Sequence, residues 1–164
     1  MRKFSQGALA MDNLYEIASA AYQQLFPTVE RFIAKGEYAK GRRVKPTLIA
    51  SAGGEAPYVL KDVVPQDFIE TRDELAALGA DWTAIVAQST FFPNEAAIAE
   101  ADKRGEEVPD EQRSAHEAVV FEFRVADVLF VGSCRIGADK RSLHKAELVH
   151  PAGNRSVLLP VWEH

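Results

Sequence analysis

Between Asp12 and Lys35 apolar residues return at Leu14, Ala18, Ala21, Leu25, Val29 and Phe32. This 3.6-residue spacing predicts an amphipathic helix with one buried stripe. Pro27 lies inside the pattern and removes the amide that would reach the Gln23 carbonyl; because the stripe keeps its phase, a kink is expected there rather than a break. Gly36 is placed to end the helix in a left-handed conformation. Tyr22 and Phe26 sit beside the stripe and widen the apolar face.

After the helix the period shortens to two. Val44 to Ser51 and Tyr58 to Val63 read as two strands of a hairpin turning at Gly53-Gly54. A second helix is predicted from the Asp67 cap to Gly79, with Ile69, Leu75 and Leu78 apolar. DWTAIVAQSTFF, starting at Asp81, then reads as a strand whose first half is apolar on both faces, the pattern of a central strand covered on both sides. Residues 94–115 start helically at Asn94 and stop at Gly105, with little to bury, so they read as a solvated acidic helix and loop. AVVFEFRV, VLFVGSCRI, LHKAELV and SVLLPVW predict a C-terminal antiparallel meander.

Helices early and strands late predict an α+β fold with a single mixed or mostly antiparallel sheet of six to seven strands. The N-terminal helix and the second helix are expected to cover one face of it. At 164 residues, 47% hydrophobic and 26% charged, the chain suits one domain over 1–164 with one ordinary core. The start MRKFSQGALAMDN has the basic opening of a secretory signal but reaches Gln6 and Asp12 too soon. No apolar run approaches the roughly 20 residues that span a bilayer. With one cysteine and no internal disulfide to make, these features predict a soluble, cytoplasmic protein without a membrane partner.

Net charge is −5, but the charge is uneven: residues 1–65 carry +3, residues 66–117 carry −9 and residues 118–164 carry +1. An acidic protein repels a phosphate backbone, which counts against nucleic acid. The exception would be two basic stretches, 36–45 and 135–145, meeting on one face to hold an anion or a strand through Arg42, Arg43, Lys140 and Arg141.

Cys134 falls on the apolar side of its strand with Val128, Phe130, Gly132 and Ile136, so a buried thiol is expected rather than a nucleophile. His116, His144, His150 and His164 lack metal-site spacing, and neither a metal nor a cofactor is implied. Glu122 and Arg124 share a strand face opposite Phe121 and Phe123, and with Gln88 and Ser89 they form the best candidate for a ligand pocket. Pro160 implies an edge strand, whose Val157, Leu159 and Trp162 would form an interface. No coherent catalytic set emerges. The sequence therefore points to a non-catalytic binding or interaction protein, with a protein partner or a homodimer. Its alternatives are a small enzyme or sensor for an anionic small molecule, and a nucleic-acid binder acting through the two basic loops.

Overall fold

A computed structural model describes residues 3–91, 95–106 and 116–158, without the side chains of 3–10, 91, 95–97 and 116. Helix α1 runs Lys3–Ala34, starting N-terminal to its periodic stripe and continuing through Pro27. It stops where expected: Gly36 takes φ +85° and donates its N–H to the Ile33 carbonyl at 3.0 Å. The positive φ is what favours glycine there; a Cβ would also lie 2.6 Å from the Arg141 guanidinium, the mobile end of a long side chain that could move aside.

Strand β1 is Thr47–Ser51 and β2 is Tyr58–Val59, paired antiparallel through a turn in which Gly53 and Gly54 both have positive φ. Helix α2 (Phe68–Ala77) leads into β3 (Trp82–Phe91); helix α3 (Glu95–Lys103) follows, then β4 (His116–Val125) and β5 (Val128–Arg135). The sheet is antiparallel throughout, in the order β2-β1-β3-β4-β5, so β3 is central as its double-sided apolar pattern predicts. Among the described residues it has five strands, not six to seven. LHKAELV meets β5 at a single bridge, Val149 to Val131, and meets the chain just past β5 at another, Leu143 to Ile136. Between them the segment tips over the sheet edge onto α1, where the Ala146 carbonyl accepts from the Tyr22 hydroxyl at 2.6 Å instead of extending the ladder. Residues 155–158 form no strand, and Leu159 and Trp162 lie outside the described residues.

The two helices lie on opposite faces, which corrects the expectation that both cover one. Under α1 pack Ala84, Val86, Val119, Phe121, Phe123, Phe130 and Cys134, against Ala18, Ala21, Tyr22, Phe26 and Ile33. The centre of the buried stripe thus lies on Tyr22 and Phe26, with Leu25, Val29 and Phe32 only partly buried at its margin. On the other face Phe68 of α2 joins Leu48, Ile85, Ala87, Val120, Val131 and Leu158. Helix α2 buries Phe68 and Arg72 instead of the expected stripe, leaving Leu78 84% exposed just past its end.

Candidate functional site

An α-helix is about 10 Å wide and strands lie about 4.8 Å apart, so one helix covers about two strands of a five-stranded sheet. Helix α1 packs over β4 and β5. Toward β1 and β2 its C-terminal half stands over the sheet with no second helix among the described residues lining the gap, and a cavity of about 890 Å³ opens between them. Leu25, Val29 and Phe32 of α1 form one wall, and Ile49, Val59 and Val86 form the other. Arg42, Arg43 and Lys45 stand at its polar side, where the loop leaving α1 crosses to β1.

Arg43 is anchored from behind. Its Nη1 lies 3.3 Å from Glu117 Oε1, and Glu117 also accepts from Thr90 at 3.1 Å and from the Gln88 amide. Gln88 turns its carbonyl the other way to take the Val44 N–H at 2.9 Å, fixing the loop beside the cavity. Burial alone would raise the Glu117 carboxyl. Hydrogen bonds from Tyr38, Thr90 and Gln88 together with the Arg43 charge outweigh it, and the group is held below the usual glutamate value. The Tyr38 phenol moves up, through burial and its bond to that carboxylate. Arg42 is held by Glu37 at 2.6 Å.

The second cavity, about 720 Å³, lies on the other face of the sheet, between α2, the β4-β5 turn and residues 154–156. At its base is a buried ion pair: Arg72 Nη1 donates to Glu122 Oε1 at 2.5 Å, with the two side chains 4% and 0% exposed. The other Glu122 oxygen accepts the Val157 N–H at 2.9 Å, which ties the C-terminal segment over the pair. Arg124, partly exposed, donates to Asp73 and, through Nε, to the Ala126 carbonyl at 2.9 Å.

The residues singled out in the sequence are thereby distributed over three places. Glu122 and Arg124 share a face, where Arg124 lines the second cavity and Glu122 holds Arg72. Ser89 is on that face too, whereas Gln88 points to the α1 side and belongs with Glu117. The two basic loops do touch, through Arg141 against Gly36, but Arg42 and Arg43 line the apolar cavity while Lys140 and Arg141 sit in the turn capped by Asp139. That carboxylate is held below its usual value by the backbone bond from Arg141 and the bonds from Ser142. Val157 is 39% exposed and Leu158 is buried. Cys134 is wholly buried. Its sulfur lies 2.8 Å from Tyr22 Oη, whose own proton goes to Ala146, so the thiol is the donor; burial pushes it up.

Sequence reasoning overlooked Arg72, Lys45 and Arg155. For Arg72 a signal existed: it follows Phe68 by four residues and so shares its helix face. Among the described residues no group of three or more His, Cys, Asp or Glu is placed to hold a metal, and no helix is long and apolar enough to cross a membrane. Comparison with protein-family models, with curated proteins and with solved structures finds no match for the chain.

Proposed function

We propose that the protein is a non-catalytic binding protein whose ligand is an amphipathic carboxylate, with an apolar body in the cavity between α1 and β1-β2 and its anionic head at Arg42, Arg43 and Lys45. The observation that carries this reading is the composition of the cavity: apolar on both walls, cationic along one side, and about 890 Å³ in volume. Small-molecule sites of about 300–1,000 Å³ have this character, a mostly apolar lining with a few convergent polar groups. Arg43 is the natural head-group contact because Glu117 and its three further donors hold its position, while the outward donors of its fork remain for a carboxylate. The lining offers the Thr28 and Thr47 hydroxyls and the Lys45 amine but, among the described residues, no carboxylate, histidine or cysteine to activate them, which favours binding over chemistry.

The test is titration with dodecanoate, followed by calorimetry and by displacement of anilinonaphthalene sulfonate, with dodecanol as the uncharged control. Dodecanoate is expected to bind more tightly than dodecanol. Val29→Trp, which fills the cavity, removes binding of both; Arg43→Ala weakens dodecanoate alone by about tenfold, the loss of one charge-assisted contact. Absence of dodecanoate binding to the folded protein, or indifference to Val29→Trp, overturns the proposal. If the cavity is instead covered by a second copy of the chain, sedimentation shows a dimer that Val29→Trp dissociates.

A further inference from the structure

We infer that the second cavity, on the α2 face, is a separate binding site for a phosphate group, either the free ion or the head of a small polar phosphate ester. Three arginines converge on it from three elements: Arg72 from α2, Arg124 from β4 and Arg155 from the C-terminal segment. Arg72 is 3% exposed, and among the described residues its Nε has no hydrogen-bond partner. A buried N–H left unpaired is costly, and an ion pair such as Arg72-Glu122 is seldom more stable than apolar residues of the same volume. A fold that keeps both has a donor reserved at the base of the cavity.

Asp73 marks where the anion sits. Its Oδ1 is bonded to Arg124 and lies 3.9 Å from Arg72 Nε, so one carboxylate oxygen is shared by two guanidinium groups but is beyond hydrogen-bonding reach of the second. The Asp73 side chain is 55% exposed, so water can solvate it when an anion displaces it from Arg124. A phosphate oxygen taking its place can approach both arginines within hydrogen-bonding distance, and the other oxygens can meet Arg155 and the Ser156 hydroxyl. Ser156 already accepts the Leu158 N–H at 3.2 Å and keeps its own proton to donate. Asn154 is fixed at the wall of the cavity, accepting the Leu129 N–H and donating one amide N–H to the Asp127 carbonyl, with a second amide N–H left over. The remaining acid, Asp127, lies in the β4-β5 turn and sets the repulsive edge of the site.

Three features separate this site from the apolar cavity: it is on the other face of the sheet, most of its lining residues are charged or polar, and Asp73 competes with the ligand. Inorganic phosphate and glycerol phosphate are titrated at constant ionic strength, with phosphorus NMR and thermal unfolding as readouts. Binding is expected to weaken about tenfold in Arg124→Ala and in Arg155→Ala, each losing one charge-assisted contact. Asp73→Asn, which removes the competing carboxylate and leaves the arginines, is expected to tighten it. Tighter binding of glycerol phosphate identifies an ester as the occupant, and equal affinity identifies the free ion. The inference is overturned if neither probe binds, if Arg155→Ala binds as the unmodified chain does, or if Asp73→Asn weakens binding. Dodecanoate binding, read in the same variants, stays unchanged either way.

Discussion

The two faces of the sheet solve the same burial problem with different materials. The α1 face is a continuous aromatic and aliphatic core in which Tyr22 packs against Phe26, Phe121 and Phe123 with ring centroids 5.3–5.9 Å apart. Its polar groups stay at the margins, in the Glu117 cluster and at the Tyr22 hydroxyl. The α2 face has fewer apolar residues and carries a charge pair at its centre. A continuous apolar face needs only area, and any gap in its cover remains an apolar cavity. A face built round a charge pair needs fixed partners, and where one donor has none the gap becomes polar.

Adjacent residues of β4 probe this contrast most strongly, since Phe121 points to one face and Glu122 to the other. Phe121→Ala and Glu122→Ala are each expected to cost about 3–5 kcal/mol in chemical denaturation, the first through a cavity and the second by stranding the Arg72 charge. Only the second is rescued: Arg72→Met combined with Glu122→Leu should return to within about 1–2 kcal/mol of the parent or exceed it. If the double variant is as unstable as the single one, the pair is integral to the fold and the contrast between the faces fails.

Tyr22→Phe tests whether the polar contacts of the α1 face are marginal. It removes the bond between α1 and the Ala146 carbonyl and should cost about 1–2 kcal/mol. It should also speed reaction of Cys134 with a thiol reagent, which in the native parent is slow compared with the denatured chain because the sulfur is buried. Rapid stoichiometric labelling of the native parent would contradict the burial described for Cys134.

The β4-β5 turn borders the second cavity but not the apolar one, and so provides a control for dodecanoate binding. Ala126 has φ +54°, a left-handed conformation that a Cβ disfavours. Ala126→Gly is expected to stabilise by about 0.5–1 kcal/mol, with no change in dodecanoate binding.

The smallest effect is one of pH. Because the folded Glu117 carboxyl is held below its ordinary value, its contribution is fully present above the unfolded value and is lost as pH falls through the folded one. Stability measured from neutral pH down through the carboxylate range should therefore fall less steeply in Glu117→Gln than in the parent. An unchanged slope would show that the Arg43-Gln88-Thr90 cluster does not hold the carboxylate in solution.

Local periodicity by itself determined the kind and place of most elements. Helix α1 with its Gly36 stop, the Gly53-Gly54 turn, the central β3 and the buried side of Cys134 all follow from which neighbours along the chain are apolar or glycine. Where two periodic readings competed, tertiary packing decided. LHKAELV has strand composition, yet its middle leaves the sheet edge, where the Ala146 carbonyl takes the Tyr22 hydroxyl and Leu143 and Leu148 join the core under α1. At the other flank, beyond the reach of α1, the shortage of cover makes the apolar cavity. Register decided the rest: Arg72 and Glu122 are 50 residues apart in the chain, and Gln88 parts from Ser89 because neighbouring strand residues face opposite ways. A sequence records how amphipathic each segment is. Which distant polar groups then meet, and which space stays empty, depends on how segments of unequal width are laid over one another.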